Sequence, residues 1–202
     1  GTVFSRRSND RMSFVGGLEE SISALVANDS ALSNPFRSHL SGFATIYKTF
    51  KFATIKMQLS GQYVNEEVRL EKKSRELLKV NPSIDFTFSE YGKWNFKHLV
   101  WYKNTFRVPS FNELYYNTIG NQELLPEEAH QLNYGSSFTP KKIRNGELHV
   151  RANVYFNRVR NKIVAIPTKN LFVWSMQNVT NVNIYGIETV FNCNWSIGAT
   201  DL

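Results

Sequence analysis

Two pairs of adjacent carboxylates, Glu66-Glu67 and Glu127-Glu128, are the residues of this chain best suited by type to general acid–base work. That chemistry needs two carboxyl groups facing one substrate. In an extended strand adjacent side chains point to opposite faces, so neither pair meets the requirement. The four histidines (His39, His98, His130, His149) lie far apart, and none has ligand spacing. The one cysteine, Cys193, allows neither an internal disulfide nor a thiolate metal cluster. No Ser/His/Asp arrangement, G-x-S-x-G, phosphate loop or H-E-x-x-H is present. The sequence therefore argues against an enzyme, and no catalytic residue, metal site or cofactor is expected.

The net charge of +7 admits nucleic acid, an anionic membrane surface or acidic ligands as partners. The charges are scattered, however, and the densest run, Arg69 to Glu76, mixes both signs and reads as a solvated loop. No recognition helix, zinc-finger spacing or RNA-binding aromatic motif is visible, so no nucleic-acid partner is expected. There is no signal peptide at Gly1 and no apolar run long enough for a membrane helix. Membrane barrels escape that test, because they cross with strands of about ten alternating residues.

The elements that carry these residues are strands. Ala53, Ile55, Met57, Leu59 and Tyr63 alternate with Thr54, Lys56, Gln58, Ser60 and Gln62. The same period runs through 82–90, through Leu148 to Asn157, and through Tyr185 to Ile197. Shorter candidates lie at 40–50, 94–103, 131–138 and 171–179, while 12–27 reads as a short helix or a strand. The expectation is an all-β antiparallel meander of roughly eight to ten long strands, several longer than the ordinary five or six residues. Tyr91-Gly92-Lys93 and the Asn145-Gly146 pair mark tight turns, whereas 28–37, 65–79 and 105–130 read as long connections. On alternation alone a soluble β-sandwich comes before a membrane barrel, which is rarer. Trp94, Trp101, Trp174, Trp195, Tyr102 and Tyr185 are read as interface girdles; core filling and sugar stacking are the alternatives.

One block, Thr105 to Gly135, breaks the alternation. Pro109 and Pro126 cannot donate to a ladder, so pairing should stop at each. Arg107 and Glu113 are opposite charges within an aromatic stretch and form a candidate partly buried pair. Asn112 suits a turn, and Gly120-Asn121 is expected to supply the positive φ of a tight reversal. Gly186, within a strand, is expected to mark a bulge or a close backbone approach.

The block resembles the TonB-dependent outer-membrane receptors. Phe106-Arg107-Val108-Pro109-Ser110-Phe111-Asn112-Glu113-Leu114-Tyr115 is similar to that family's F-R-x-P-[ST]-x-x-[ED]-L-Y motif. Gly120-Asn121-Gln122-Glu123-Leu124-Leu125-Pro126-Glu127 is similar to its G-N-P-x-L-x-P-E turn, with Gln122 in place of Pro, and a strand ending in Gly135 follows. Asn153 to Ile163 resembles a late strand, with Asn161 where Asp is usual. Asn178-Val179 and Tyr185-Gly186-Ile187-Glu188 resemble the strand that ends in Y-G-[IV]-E. The wording around Ile163 to Leu171 is similar to the vitamin B12 and siderophore group of Bacteroidetes-like bacteria.

The resemblance implies residues 1–202 as one partial barrel domain, a piece of a wall of roughly 22 strands. It implies an outer-membrane location and uptake of a scarce iron-siderophore or cobalamin. In the parent protein it implies an N-terminal plug and the periplasmic TonB protein as partners. The motif residues named above are expected to be structural. The expectation for this stretch is a C-terminal-half barrel fragment without its plug, not transport-competent alone, with apolar faces and strand edges that favour detergent dependence and self-association. The runner-up is a soluble β-sandwich binding module for carbohydrate.

Overall fold

The computed structural model describes residues 1–9, 11–26, 34–68, 73–90, 94–140, 146–168 and 173–195. Nine strands and one short helix follow one another: β1 (Thr2–Asn9), β2 (Met12–Ala24), β3 (Pro35–Thr49), β4 (Ala53–Val68), β5 (Lys73–Glu90), β6 (Trp94–Arg107), α1 (Phe111–Tyr115), β7 (Glu127–Pro140), β8 (Gly146–Pro167) and β9 (Trp174–Trp195). The strands form one antiparallel sheet in chain order, each paired only with its sequence neighbours. There is no second sheet among the described residues, so the sandwich is not the fold.

Several strands run further than their alternation. β4 continues to Val68 and β5 starts at Lys73, so the second half of the charge-dense run read as a loop, Lys73 to Glu76, is strand, while 69–72 lie outside the described residues. The reason is register: Glu66 lies opposite Arg75, so these charges line one face of the sheet. The ambiguous segment 12–27 holds strand β2 over Met12–Ala24, a further strand precedes it, and the two C-terminal candidates are one strand of 22 residues. Gly135 lies inside β7 rather than at its end. The tight turns at 91–93 and 141–145 lie outside the described residues.

The two faces of the sheet differ in chemistry. Cross-strand register lines up Met57, Ile84, Tyr102, Leu132, Phe156 and Tyr185 in one continuous row. The adjacent row is Ile55, Phe86, Val100, Tyr134, Val154 and Ile187. Both lie on the face away from α1, and they are open: Val100 is 40% exposed, Met57 47% and Ile187 75%. The α1 face is polar over the same span, where a groove of about 500 Å³ is lined by Lys56, Gln58, Asp85, Trp101, Lys103 and Gln131. Tyr102, Tyr185 and Trp195 lie on the apolar face, but Trp101 faces the polar groove and Trp174 opens β9 opposite Pro167. The Trp94 side chain lies outside the described residues.

Pairing between β5 and β6 covers only Ser83–Glu90 with Phe96–Lys103 and stops at Pro82, which has no N–H to give. The strands part there on the α1 side. Gly186 is opposite Tyr155, and a Cβ there would lie 2.5 Å from the Tyr155 hydroxyl. The close approach is thus by a cross-strand aromatic ring, not by backbone. Gly186→Leu must displace that ring and is expected to cost about 1–3 kcal/mol in denaturant unfolding. Tyr155→Ala in the same chain should remove most of that cost, a non-additivity expected only of contacting residues.

Candidate functional site

The segment between β6 and β7 folds back over the α1 face and is clasped there. Its start is α1, built by a capping box: Ser110 Oγ accepts from Glu113 N at 3.3 Å and Ser110 N donates to Glu113 Oε2 at 2.7 Å. The following turn is closed by Asn121, whose Oδ1 accepts from Glu123 N at 2.9 Å. Gly120 does not adopt the positive φ expected of it. It is needed for space, because a Cβ would lie 2.6 Å from Tyr116 N and 2.7 Å from Tyr116 O. Asn112 lies on the exposed side of α1, its carbonyl accepting from Tyr116 N.

Two charge networks hold this excursion to the strand ends. In the first, Arg107 is bidentate to Glu113, Nη1 to Oε2 at 2.8 Å and Nη2 to Oε1 at 3.1 Å, while its Nε donates to Glu127 Oε2 at 3.0 Å. Glu127 Oε1 also accepts from Ile163 N at 2.7 Å and lies 3.2 Å from Lys162 Nζ. Both carboxylates sit past the last apolar row of the sheet. Burial pushes Glu113 up, but the Arg107 and Ser110 hydrogen bonds outweigh it and hold the group below the usual carboxylate range. Glu127 is likewise pushed up by burial, yet Arg107, Ile163 and Lys162 bring it down to about 2.

The second network is more deeply buried. Arg37 donates to Glu66 through Nε at 2.6 Å and through Nη2, which also reaches the Pro109 carbonyl at 2.7 Å. Tyr115 Oη donates to Glu66 Oε1 at 2.5 Å, and burial followed by this bond pushes the phenol above its usual range. Arg37 also lies 4.7 Å from the Phe111 ring centroid. Around these groups Val68, Leu114, Tyr115, Leu124 and Ile163 form a small apolar core in which Leu124 is fully buried.

The far end of the excursion is tied to the late strands. Arg75 Nη2 donates to the Leu124 carbonyl at 2.7 Å, from the side of β5 left free beyond Pro82. Asn178 exchanges bonds with Leu125, N to Oδ1 at 2.8 Å and Nδ2 to O at 2.9 Å, and donates to the Asn161 carbonyl at 2.8 Å. Asn161 has φ +52°, a conformation that asparagine tolerates better than most residues. The excursion is thus tied to β3, β4, β5, β6, β8 and β9.

The structure brings together Arg107, Pro109, Glu113, Leu114, Tyr115, Gly120, Asn121, Leu124, Pro126 and Glu127 in this clasp. Phe106 is the last residue but one of β6, with Lys79 Nζ 5.7 Å from its ring centroid. Gly135, Tyr185, Gly186 and Glu188 lie elsewhere on β7 and β9. Arg37 and Arg75 carry no motif in the sequence, and Glu66 stands out there only as one of an adjacent glutamate pair, not as an anchor of this excursion. Asn178 lies within a motif.

Residues 49–201 match the family model described as TonB dependent receptor-like, beta-barrel. The chain belongs to this family. Among solved structures, it superposes on the copper transporter OprC (TM-score 0.74, 12% identity) over 94% of this chain and 33% of OprC. It is similar to the Serratia marcescens hemophore receptor HasR in complex with its hemophore HasA and heme (TM-score 0.76, 14% identity), over 95% of this chain and 38% of that one. The FrpB iron transporter of Neisseria meningitidis, F3-3 variant, follows at TM-score 0.69 and 13% identity, over 97% and 32%. The chain therefore spans about a third of the length of these receptors. No curated protein matches the sequence.

Two predictions follow from the clasp. Glu66→Ala leaves Arg37 and the Tyr115 hydroxyl buried without their acceptor, at a cost of about 3–5 kcal/mol. Protease cleavage within 108–126 should then accelerate, while Glu67→Ala, on the other face, leaves it unchanged. Because Glu113 and Glu127 are depressed in the folded state, their stabilisation is complete above the ordinary carboxylate value of 4.5 and is lost as pH falls from there to about 2. Hydrogen-exchange protection of α1 should be constant from neutral pH to about 5 and fall below that.

Proposed function

We propose that residues 1–202 are one partial barrel domain of a bacterial outer-membrane receptor driven by TonB, which takes up a scarce metal-bearing nutrient. The observation that carries this reading is the apolar face. On β9 it runs from Tyr185 to Trp195, a span of about 35 Å at ~3.3 Å per residue. Tilted by about 45°, such a strand covers about 25 Å, the height of the apolar band of outer-membrane barrels. Exposed apolar rows of this extent are not sustained by soluble monomers. The polar α1 face then lines the lumen.

The connection lengths support one orientation. The two longest, Ala24 to Pro35 and Arg107 to Glu127, emerge at the same end of the meander, and those at the other end are short. Outer-membrane barrels have short periplasmic turns and longer extracellular loops. The clasp accordingly sits at the extracellular mouth, where it fixes the strand ends from which ligand-contacting loops depart. The excursion is architecture, and no chemistry on the ligand is proposed.

The ligand class rests on the resemblance and on the superposed receptors, whose names specify copper, heme and iron. An iron-siderophore or a cobalamin, in a Bacteroidetes-like bacterium, is the proposed cargo. Transport requires the N-terminal plug and TonB as partners, so residues 1–202 alone are proposed to be incompetent. The free edges of β1 and β9 would pair with further strands of the same wall, or with other copies when isolated.

A single charged residue tests the assignment of the faces. Val154→Arg, in the middle of the apolar band, should destabilise the bilayer-inserted protein by about 2–4 kcal/mol. Asn153→Arg, one residue away on the lumen face, should cost far less. Equal costs at the two positions would remove the membrane reading.

A further inference from the structure

The lumen face carries charge without partners toward the end away from the clasp. Lys97 on β6 and Arg151 on β8 both lie opposite Ser137, on the strand between them. Their backbones are thus about 10 Å apart, two strand spacings of ~4.8 Å. The groove between them, of about 320 Å³, is lined also by Leu99, Gly135, Ser137 and Asn153. Gly135 makes room for the Asn153 amide: a Cβ there would lie 2.7 Å from Asn153 Oδ1. Both cations are exposed, and among the described residues neither side chain has a hydrogen bond or an ion pair. Their register neighbours on the outer strands are Ser89 and Val190, which carry no charge. The carboxylate closest in register, Glu188, is the partner of Asn153 and forms no ion pair with Arg151.

Two unpaired cations facing one groove set up a positive potential that an anion relieves. Their position limits what that anion is. The sheet itself stands between the lumen face and lipid, so a headgroup does not reach them. Lys103 lies six residues beyond Lys97 on the same face of β6, about 20 Å along the strand. The carboxylate beside it, Asp85, is held by Lys56 at 3.0 Å. The unpaired cations are therefore spaced along the lumen and not gathered at one point. That spacing suits a solute moving past them better than a protein segment that docks once. A guanidinium matches both oxygens of a carboxylate, an ammonium adds a point charge, and Ser137 and Asn153 supply neutral polar groups.

We propose that Lys97 and Arg151 form an anion subsite on the lumen wall, toward its periplasmic end, for a carboxylate-bearing metal chelate leaving the receptor. The cargo is then a net-anionic chelate and not a neutral corrin. The inference rests on the receptor reading of the chain and narrows its substrate class.

The test uses the full receptor in detergent micelles, with radiolabelled citrate as the probe in equilibrium dialysis at low salt. The wild type should bind citrate, and neutral cyanocobalamin should not displace it. The double variant Lys97→Gln/Arg151→Gln should bind about tenfold more weakly or worse, as expected for losing two charge-assisted contacts. Arg158→Gln/Arg160→Gln, which removes the same charge from the outward face, should bind as the wild type does. Unchanged binding in the lumen variant, or an equal loss in the outward one, overturns the subsite. Absence of binding to the wild type, the result expected if an acidic segment of the plug fills the groove, overturns it too. Displacement by cyanocobalamin overturns the anionic cargo. Heat-modifiable electrophoretic migration of receptor extracted from outer membranes reports the barrel separately. If the wild type shows none, the receptor reading falls and the subsite with it; if it does and the variants bind alike, only the subsite falls.

Discussion

This fold is constrained above all by being a single layer. In a sandwich or an α/β domain, the apolar face of a sheet is covered by another element, and that burial supplies most of the stability. Here nine strands pair edge to edge and no described residue covers the apolar rows from Met57 to Tyr185. Backbone amides within the ladder are satisfied by neighbouring strands, as they must be where water is excluded. The apolar side chains themselves gain nothing from the rest of the protein. On the proposed reading their solvent is the lipid of the bilayer, and the polar opposite face and the strand lengths fit that setting.

Among the described residues the clasp is where the chain makes a core of its own. Leu114, Leu124 and Ile163 are too few to hold a long excursion by burial alone. Charge does the rest, and it does so on a face that is already polar. Arg37 and Glu66 are cross-strand partners, so their pairing is prepared by the register of β3 and β4 before the excursion arrives. The Pro109 carbonyl and the Tyr115 hydroxyl then complete the network. A half-satisfied version would leave a buried charge exposed to its full desolvation cost, so the arrangement favours one seating over near alternatives. Arg75 and Asn178 bring in strands distant in sequence, including β5 where Pro82 has released it from β6.

Much of this was legible in the sequence, and the part that was not has a physical reason. Period two gave the strands wherever the apolar set stayed in one phase, as from Ala53 to Tyr63 and from Leu148 to Asn157. Beyond those points the phase reverses. On β8 the apolar positions are even-numbered as far as Phe156, and then Val159 and Ile163 turn inward while Arg158 and Arg160 face out. On β4 the same switch separates Leu59 from Val64 and Val68. The switch occurs where the outward face leaves the apolar band and the inward face meets the clasp, so the strand continues while its pattern inverts. A reader of alternation sees an end there. The motif block was readable as an excursion bounded by two prolines, but its anchors Arg37, Glu66 and Arg75 were not, because register alone brings them to it.

The central claim is that one sheet meets lipid on one face and water on the other. Spin labels placed singly at positions 148 to 157 of β8, in the bilayer-inserted receptor, test it most directly. The account predicts a period-two profile: labels at even positions accessible to oxygen dissolved in lipid, and labels at odd positions accessible to a water-soluble nickel chelate. A profile without that alternation, or with water reaching both faces equally, would contradict it.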